Sequence, residues 1–506
     1  MPIRKVRSLV TIENMLTQDG ALDVHPLMPQ VPQDQAGLDA LRGEALGNPL
    51  FLDSLVARDG SATTIQVEFN IAQDDSPAML QAYQAIAAIT DQVKSDDRIY
   101  LSGPPMIAAQ TASSMEQDNQ TLLPAVLLVI LLVLLVSFGR LQGVVAPLLI
   151  AIFSLIWTLG LMAAFDVKQN IITSIMPVFI ISIAVCDAIH FLADYYRNLP
   201  SNPDRQARID TAFSVMQQLF WPMFVTCMTT LVGFFALVWT DVTFIREFGI
   251  FTGVGIFFAW LITVVFLPAI LVLWKVEPPR HGLLVSDKLD RLIARFGLFA
   301  RYGKKLALGM LALIVLCSWY VAENLTIDNQ VIGYFEEDSR IRQDDAAINA
   351  KFGGTTPISV MIESPQVDAF KDPALMQAVA KIQERLRERS EVGFTYSVAD
   401  FVKRLHQVTQ DSFAAEQYRL PDDISGPLLA QYFLLYENAN GRDLFDVVDR
   451  RFQNGRVLAI LHTDRSSAVS AVKQDVLAYA LQVLPAGMAV RVSGYGEVLV
   501  ATTDAV

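Results

Sequence analysis

The feature that most restricts the fold is a series of six apolar stretches, at Leu122–Phe138, Val144–Phe165, Ile171–Leu192, Met223–Val238, Ile250–Leu273 and Leu306–Val321. Each is near the length that crosses a hydrocarbon core, about 17 to 25 residues at helical rise. Lipid offers no partner to a backbone N–H or C=O, so runs of this kind are predicted to be helices. The first five follow one another closely, except for a polar stretch from Ala193 to Phe220, and a longer basic connection separates the sixth. The chain is 53% hydrophobic and only 18% charged, so it reads as a membrane bundle with soluble parts attached.

Orientation follows from the basic residues. Arg140, then Arg197, Arg205 and Arg208, then Arg280, Lys288, Arg291, Arg295, Arg301, Lys304 and Lys305 fall in alternate connections. The positive-inside rule makes that side cytoplasmic. The polar portions at both ends are then extracytoplasmic, and the first carries Asp74, Asp75, Asp96, Asp97 and Asp118. The expected division is a partial outer domain over 1–121, five spans over 122–274, a cytoplasmic connector over 275–305, a further span over 306–321, and a second outer domain over 322–506. In the connector, "LLVSDKLDRLIARFGLFARY" sets Leu289, Leu292, Ile293 and Phe296 on one face with Lys and Arg opposite. That is the pattern of a helix lying in the membrane interface, with a linker helix packed on protein as the alternative.

The outer portions contain an internal repeat. "IYLSGPPMIAAQTASSM" from Ile99 aligns with "VRVSGYGEVLVATTDAV" from Val490, and "VRSLVTIENML" from Val6 with "TYSVADFVKRL" from Thr395. "TTIQVEFN" followed by a helix over 78–93 matches "RVLAILHT" followed by a helix over 467–484. The spacing stays near about 390 residues, as repeat logic requires. Strand, helix, strand in each copy predicts an α+β split βαβ, ferredoxin-like unit. "TTPISVMIESP" repeats that grammar, with Asp372 capping a helix over Pro373–Arg387. The register also leads us to expect a piece of a longer protein, with one span before Met1 and most of a second membrane half after Val506.

Chemistry concentrates in "ISIAVCDAIHFLADYY". Asp187, His190 and Asp194 recur at three- and four-residue intervals and share a helical face. A carboxylate at the centre of a bilayer helix costs roughly 2.5 to 3.5 kcal/mol on insertion scales, so it needs a compensating role. Asp187 and His190 are candidates for a proton relay, since a carboxyl and an imidazole exchange protons readily. A structural hydrogen bond from Asp187 to a neighbouring helix is the other reading, and Asp194 at the helix end is more simply solvated. In "VTCMTTLVGFFALVW", Thr226, Thr229, Thr230 and Gly233 form a supporting polar face where helices could approach closely.

Other classes are excluded or disfavoured. A formal charge of −13 argues against nucleic acid as a partner. Cys186, Cys227 and Cys317 lie in apolar runs and give no disulfide framework. No phosphate-binding loop, dinucleotide fingerprint, zinc spacing or nucleophile elbow is present, so an enzyme is not expected and neither is a cofactor. An ion gradient is left as the energy source for any transport.

These stretches resemble the resistance-nodulation-division (RND) superfamily, specifically its MMPL-type exporters, whose membrane halves look like sterol-sensing domains. The resemblance is carried by "AVCDAIHFLADYYR", "TCMTTLVGFFAL", "IREFGIFTGVGIFFAWLITVVFLPAIL", "DNQVIGYFEEDS" and "FGGTTPISVMI", and runs from about Val6 to Val506. It implies twelve spans in two halves, outer porter domains, an inner-membrane location, and proton-driven export of lipids or other hydrophobic molecules with the proton motive force as energy source. Membrane lipids, the substrate, and a second copy or a periplasmic protein are the implied partners. Asp187 falls on the coupling motif. Many relatives read Gly, any residue, Asp, Asp before "AIH", whereas this chain reads Ala184, Val185, Cys186, Asp187. That departure keeps open a sterol- or lipid-sensing protein that does not transport, and a protein-translocation accessory.

Overall fold

The computed structural model describes residues 3–18, 21–71, 75–93, 97–170, 172–240, 242–274, 303–324, 328–410, 415–497 and 500. The connector helix expected over 283–302 lies outside the described residues. The chain divides into two compact units, Met1–Gln110 with Ile327–Asp504, and Thr111–Thr326.

Among the described residues, six helices are long and apolar enough to cross a membrane. They are α3 (Pro104–Phe138), α4 (Gln142–Ala164), α5 (Met176–Asn198), α6 (Arg205–Phe235), α7 (Thr243–Leu273) and α8 (Lys304–Asn324), after two shorter helices, α1 (Gln35–Gly47) and α2 (Ser76–Gln92). Several start well before their apolar stretch. Asp204 caps α6 by accepting from the Ala207 amide at 2.7 Å, so this helix begins at Arg205 rather than at Met223. Apolarity marks where a helix can cross lipid, whereas caps mark where it begins.

Burying apolar surface does little to join helices inside lipid, so close packing has to hold this bundle together. The glycines of α7 allow it. A Cβ on Gly249 would lie 2.5 Å from the Phe234 carbonyl oxygen of α6, and one on Gly255 would lie 2.5 Å from Ile180 Cδ1 of α5 and 2.7 Å from Thr158 Oγ1 of α4. Helix α7 therefore sits against α6 on one side and against α4 and α5 on the other. Gly233 meets nothing within 4 Å, so the close approach lies on α7 and not on the expected face of α6.

The other unit is built on a sheet of β5 (Thr356–Glu363), β6 (Val392–Tyr396), β7 (Asn454–Leu461) and β8 (Ala489–Ser493), in the order β6-β7-β5-β8. Every pair is antiparallel. Helices α9 (Arg340–Lys351) and α10 (Pro373–Arg387) precede β6, and α11 (Val398–Thr409), α12 (Gly426–Asn438) and α13 (Ser466–Val483) follow it. The connections β5–α10–β6 and β7–α13–β8 each step over a strand of the other. Alternate residues Ile358, Val360 and Ile362 of β5, with Val457, Ala459 and Leu461 of β7, are fully buried in the core that α10 and α13 complete.

The first polar portion repeats part of this pattern. Strand β1 (Ile3–Arg7) pairs antiparallel with β4 (Gln66–Phe69), Arg7 opposite Gln66, as β6 pairs with β7, Tyr396 opposite Leu458. Helix α2 matches α13. The copies differ after the first strand. Ser397 and Asp400 form a capping box that starts α11, whereas Ser8 and Thr11 close one turn and the chain then enters a hairpin, β2 (Glu13–Gln18) with β3 (Ala21–Pro26). The β-branched Val10, Thr11 and Ile12 disfavour continuing that turn as a helix. The strand expected at Ile99 is not formed: residues 98–102 join no ladder among the described residues. Among the described residues of 1–121 there is no counterpart of β5, the strand against which β8 pairs.

Candidate functional site

Helix α5 carries the candidate acid, and its start is fixed locally. Asn170 Oδ1 accepts from the Ile172 and Thr173 amides, at 3.1 and 2.9 Å, and Thr173 Oγ1 accepts from the Asn170 amide at 2.8 Å. A short 3₁₀ turn at Thr173–Ile175 then leads into α5, with Pro177 in its first turn, where no intrahelical N–H is needed. The stripe Ile180, Ala184, Asp187, Ala188, Phe191 and Tyr195 is buried against the neighbouring helices, and Asp187 is 8% exposed.

Asp187 is thus an acid on an apolar stripe flanked by two alanines. Among the described residues its carboxylate accepts no hydrogen bond from a neighbouring helix. It interacts electrostatically with His190 on its own helix and with the thiols of Cys186 and Cys227. His190 and Cys186 lie on the exposed side of α5. The two relay candidates are therefore charge neighbours, one inside the bundle and one on its outside.

The threonines are not brought to Asp187. Thr226 and Thr229 are exposed and Thr230 is half-buried. Their hydroxyls donate back into their own helix, to the Pro222 carbonyl at 2.9 Å, the Val225 carbonyl at 2.9 Å and the Thr226 carbonyl at 2.8 Å. This back-bonding satisfies a hydroxyl without a neighbour. The α6 residue that turns inward is Cys227, buried, with its Sγ 3.9 Å from the Ile256 carbonyl oxygen of α7. It packs with Met223, Ile256 and Trp260, and Ile183 of α5 lies against the same cluster. The buried Trp260 Nε1 and Thr252 Oγ1 have no hydrogen-bond partner among the described residues. Sequence reasoning singled out neither: each is one polar atom in an apolar helix, and only packing shows which face it occupies.

At the far end of α5, Asp194 is half-buried and pairs with the exposed Arg197 at 3.9 Å. Pairs this exposed contribute about 0 to 1 kcal/mol, so Asp194 reads as a helix-end charge. Tyr195 and Tyr196 are buried beside it, in electrostatic contact with Arg208 and Arg140 respectively.

Among the described residues no group of His, Cys, Asp or Glu side chains is arranged to hold a metal ion. What the site offers is one buried carboxyl in an apolar bundle.

The chain is 26% identical over 171 residues to a membrane protein of Methanocaldococcus jannaschii, covering 34% of this chain and 43% of that protein. It is 26% identical over 199 residues to a membrane protein of Streptomyces coelicolor, covering 37% of this chain and 27% of that protein. The matched region spans less than half the length of either relative. The model of the MMPL family matches residues 6–314, which takes in α3 to α7, the Asp187 stripe and the start of α8. With its six apolar helices and that match, the chain is a multi-pass membrane protein belonging to the MMPL family, a family of RND-type membrane transporters.

Proposed function

We propose that this chain forms part of a proton-driven transporter of the inner (plasma) membrane that exports lipids or other hydrophobic molecules. The observation that carries this reading is Asp187, 8% exposed within an apolar helix and without a hydrogen bond from another helix among the described residues. An acid kept in that setting is costly for structure alone and useful for proton traffic. His190 takes the proton on the exposed side of α5 and passes it toward the basic, cytoplasmic end. The sheet unit is the extracytoplasmic porter part, its strand order being that of a split βαβ, ferredoxin-like domain. Membrane lipids supply the substrate, and a second copy or a periplasmic protein receives it.

The test uses the full-length protein in proteoliposomes with a lumenal pH dye, an imposed proton gradient and a headgroup-labelled fluorescent phospholipid as probe. Asp187→Asn should remove both gradient dissipation and gradient-dependent movement of the probe, at unchanged protein level. Undiminished proton flux in that variant would overturn the assignment.

One observation favours a second reading, a lipid-sensing membrane protein without transport. Cys186 stands where many relatives carry a first acid, and a thiol is no ready carboxylate. Binding of the labelled lipid that is insensitive to both pH and membrane potential would select that reading.

A further inference from the structure

Two segments connect the sheet unit to membrane helices: residues 99–107, which run into the first turn of α3, and residues 328–335, which come after α8. Both are fastened to the same small region. The Leu101 amide donates to Asp344 Oδ2 at 3.1 Å, and the Ser102 hydroxyl donates to Asp345 Oδ1 at 3.0 Å. The Ile332 amide donates to Asp464 Oδ2 at 2.8 Å. Asn329 exchanges two hydrogen bonds with Ser466, both 2.9 Å, one from its amide to the hydroxyl and one into its carbonyl. Met106 and Ile107 of the first segment and Ile332 of the second are buried in one apolar cluster with Ile341 of α9. Hydrogen bonds and apolar contact thus hold the two segments in the same place.

The fastening carboxylates are buried, Asp344 at 5%, Asp345 at 8% and Asp464 at 6% exposure. Around Asp345 lie Ser102 of the first segment, Asn349 and Asp344 of α9, Thr355 beyond α9, Asp464 between β7 and α13, and the Tyr495 hydroxyl after β8. The cation in the neighbourhood, Arg340, is exposed and pairs with Asp344 at 3.7 Å. Asp345 therefore feels the charge of Asp464 inside the protein, and among the described residues neither carboxylate is in an ion pair.

We propose that Asp345, facing the charge of Asp464, is a proton-operated latch on these two segments, fastened when Asp345 holds a proton and loosened when it is ionised. The sign follows from the surroundings. Burial lifts the Asp345 carboxyl above its ordinary range, hydrogen bonds from Thr355 and Ser102 oppose this, and the charge of Asp464 adds to it. An acid that binds its proton more tightly in the fastened form stabilises that form as pH falls through its raised pKa, and that stability is lost as pH rises. The latch closes on the acidic side and opens on the alkaline side. It stands independently of any role for Asp187.

The experiment is hydrogen exchange by mass spectrometry on the full chain in nanodiscs, between about pH 5 and about pH 8, with rates corrected for the intrinsic rise with pH. Peptides covering 99–107 and 328–335 should lose protection as pH rises, by a factor on the order of tenfold. A peptide from α10 serves as the control and should keep its protection. Asp345→Asn, which mimics the neutral acid, should hold both segments protected across the range and remove the pH dependence. Asp464→Asn, which removes the charge that helps raise the Asp345 carboxyl, should move the loss of protection to lower pH, and it serves as the second variant if the first loses protection in the control peptide. Segments whose protection is constant with pH, or rises with it, would overturn the proposal, and so would a wild-type profile in a folded Asn variant.

Discussion

Asp187 was legible in the sequence because one acid in an apolar run is conspicuous on composition alone. What surrounds it was not. The period of an α-helix places Cys227 and Thr226 about 100° apart, and the bare pattern of α6 does not say which of them turns inward. The threonines satisfy their hydroxyls within their own helix, so they needed no partner, and Cys227 took the inward position. A prediction at this scale follows from the exposure of Cys186 one residue from Asp187. If protons reach Asp187, water reaches its helix. A small water-soluble thiosulfonate should then label Cys186 in the full-length protein in vesicles and spare Cys227, which is 2% exposed. Mass spectrometry of the tryptic peptides reads both positions, and an unlabelled Cys186 would leave the relay without a water path.

Elements were legible wherever a local signal sets both ends. Asp372 followed by Pro373 predicted the start of α10, and Asp372 does accept from the Ala374 amide at 2.8 Å. Where the signal was apolarity alone, as in α3 and α6, the span was found and the helix start was not. The glycines of α7 show the same limit: the sequence displays them, but only the packed helices show that Gly249 faces a backbone carbonyl. That carbonyl cannot rotate away as a side-chain tip could, so Gly249→Ala should force α6 and α7 apart at a cost of about 1 to 3 kcal/mol. Thermal unfolding in detergent should show this loss, while Gly233→Ala, facing open space, should leave the midpoint almost unchanged or slightly raised. In the sheet unit, Asp400 is 1% exposed and accepts from the Ser397 amide at 2.9 Å and the Tyr418 hydroxyl at 3.0 Å, besides Gln383 and Arg387. Asp400→Ala strands those donors inside the core and should cost roughly 3 kcal/mol or more. A melting midpoint within experimental error of wild type would show that the network contributes little.

At the scale of the whole sheet unit, the repeat in the sequence pointed to two similar copies, while the structure joins both polar portions in one compact unit. The missing information was pairing across the chain. Lys5 and Arg7 of β1 both reach Asp446, and Lys5 also reaches Asp443, in the loop between α12 and β7. Glu13 accepts from the Arg442 and Asp443 amides and from the Tyr436 hydroxyl. More than four hundred positions separate these partners, and no local pattern encodes such a pairing. The side chains of Arg7 and Asp446 are 12% and 13% exposed, so the pair is largely out of water. Removing one member of such a pair is expected to cost about 3 to 5 kcal/mol, because the other charge is left buried, whereas replacing both with apolar residues of similar size can be neutral. Asp446→Ala should therefore open the edge where β1 meets the second polar portion, seen as faster hydrogen exchange in residues 3–18 with α10 unchanged. Arg7→Met combined with Asp446→Leu should recover most of that protection. Recovery would mean that charge satisfaction, rather than attraction, holds the first portion in place; failure of the pair to recover would mean that the ion pair itself fixes the register of β1.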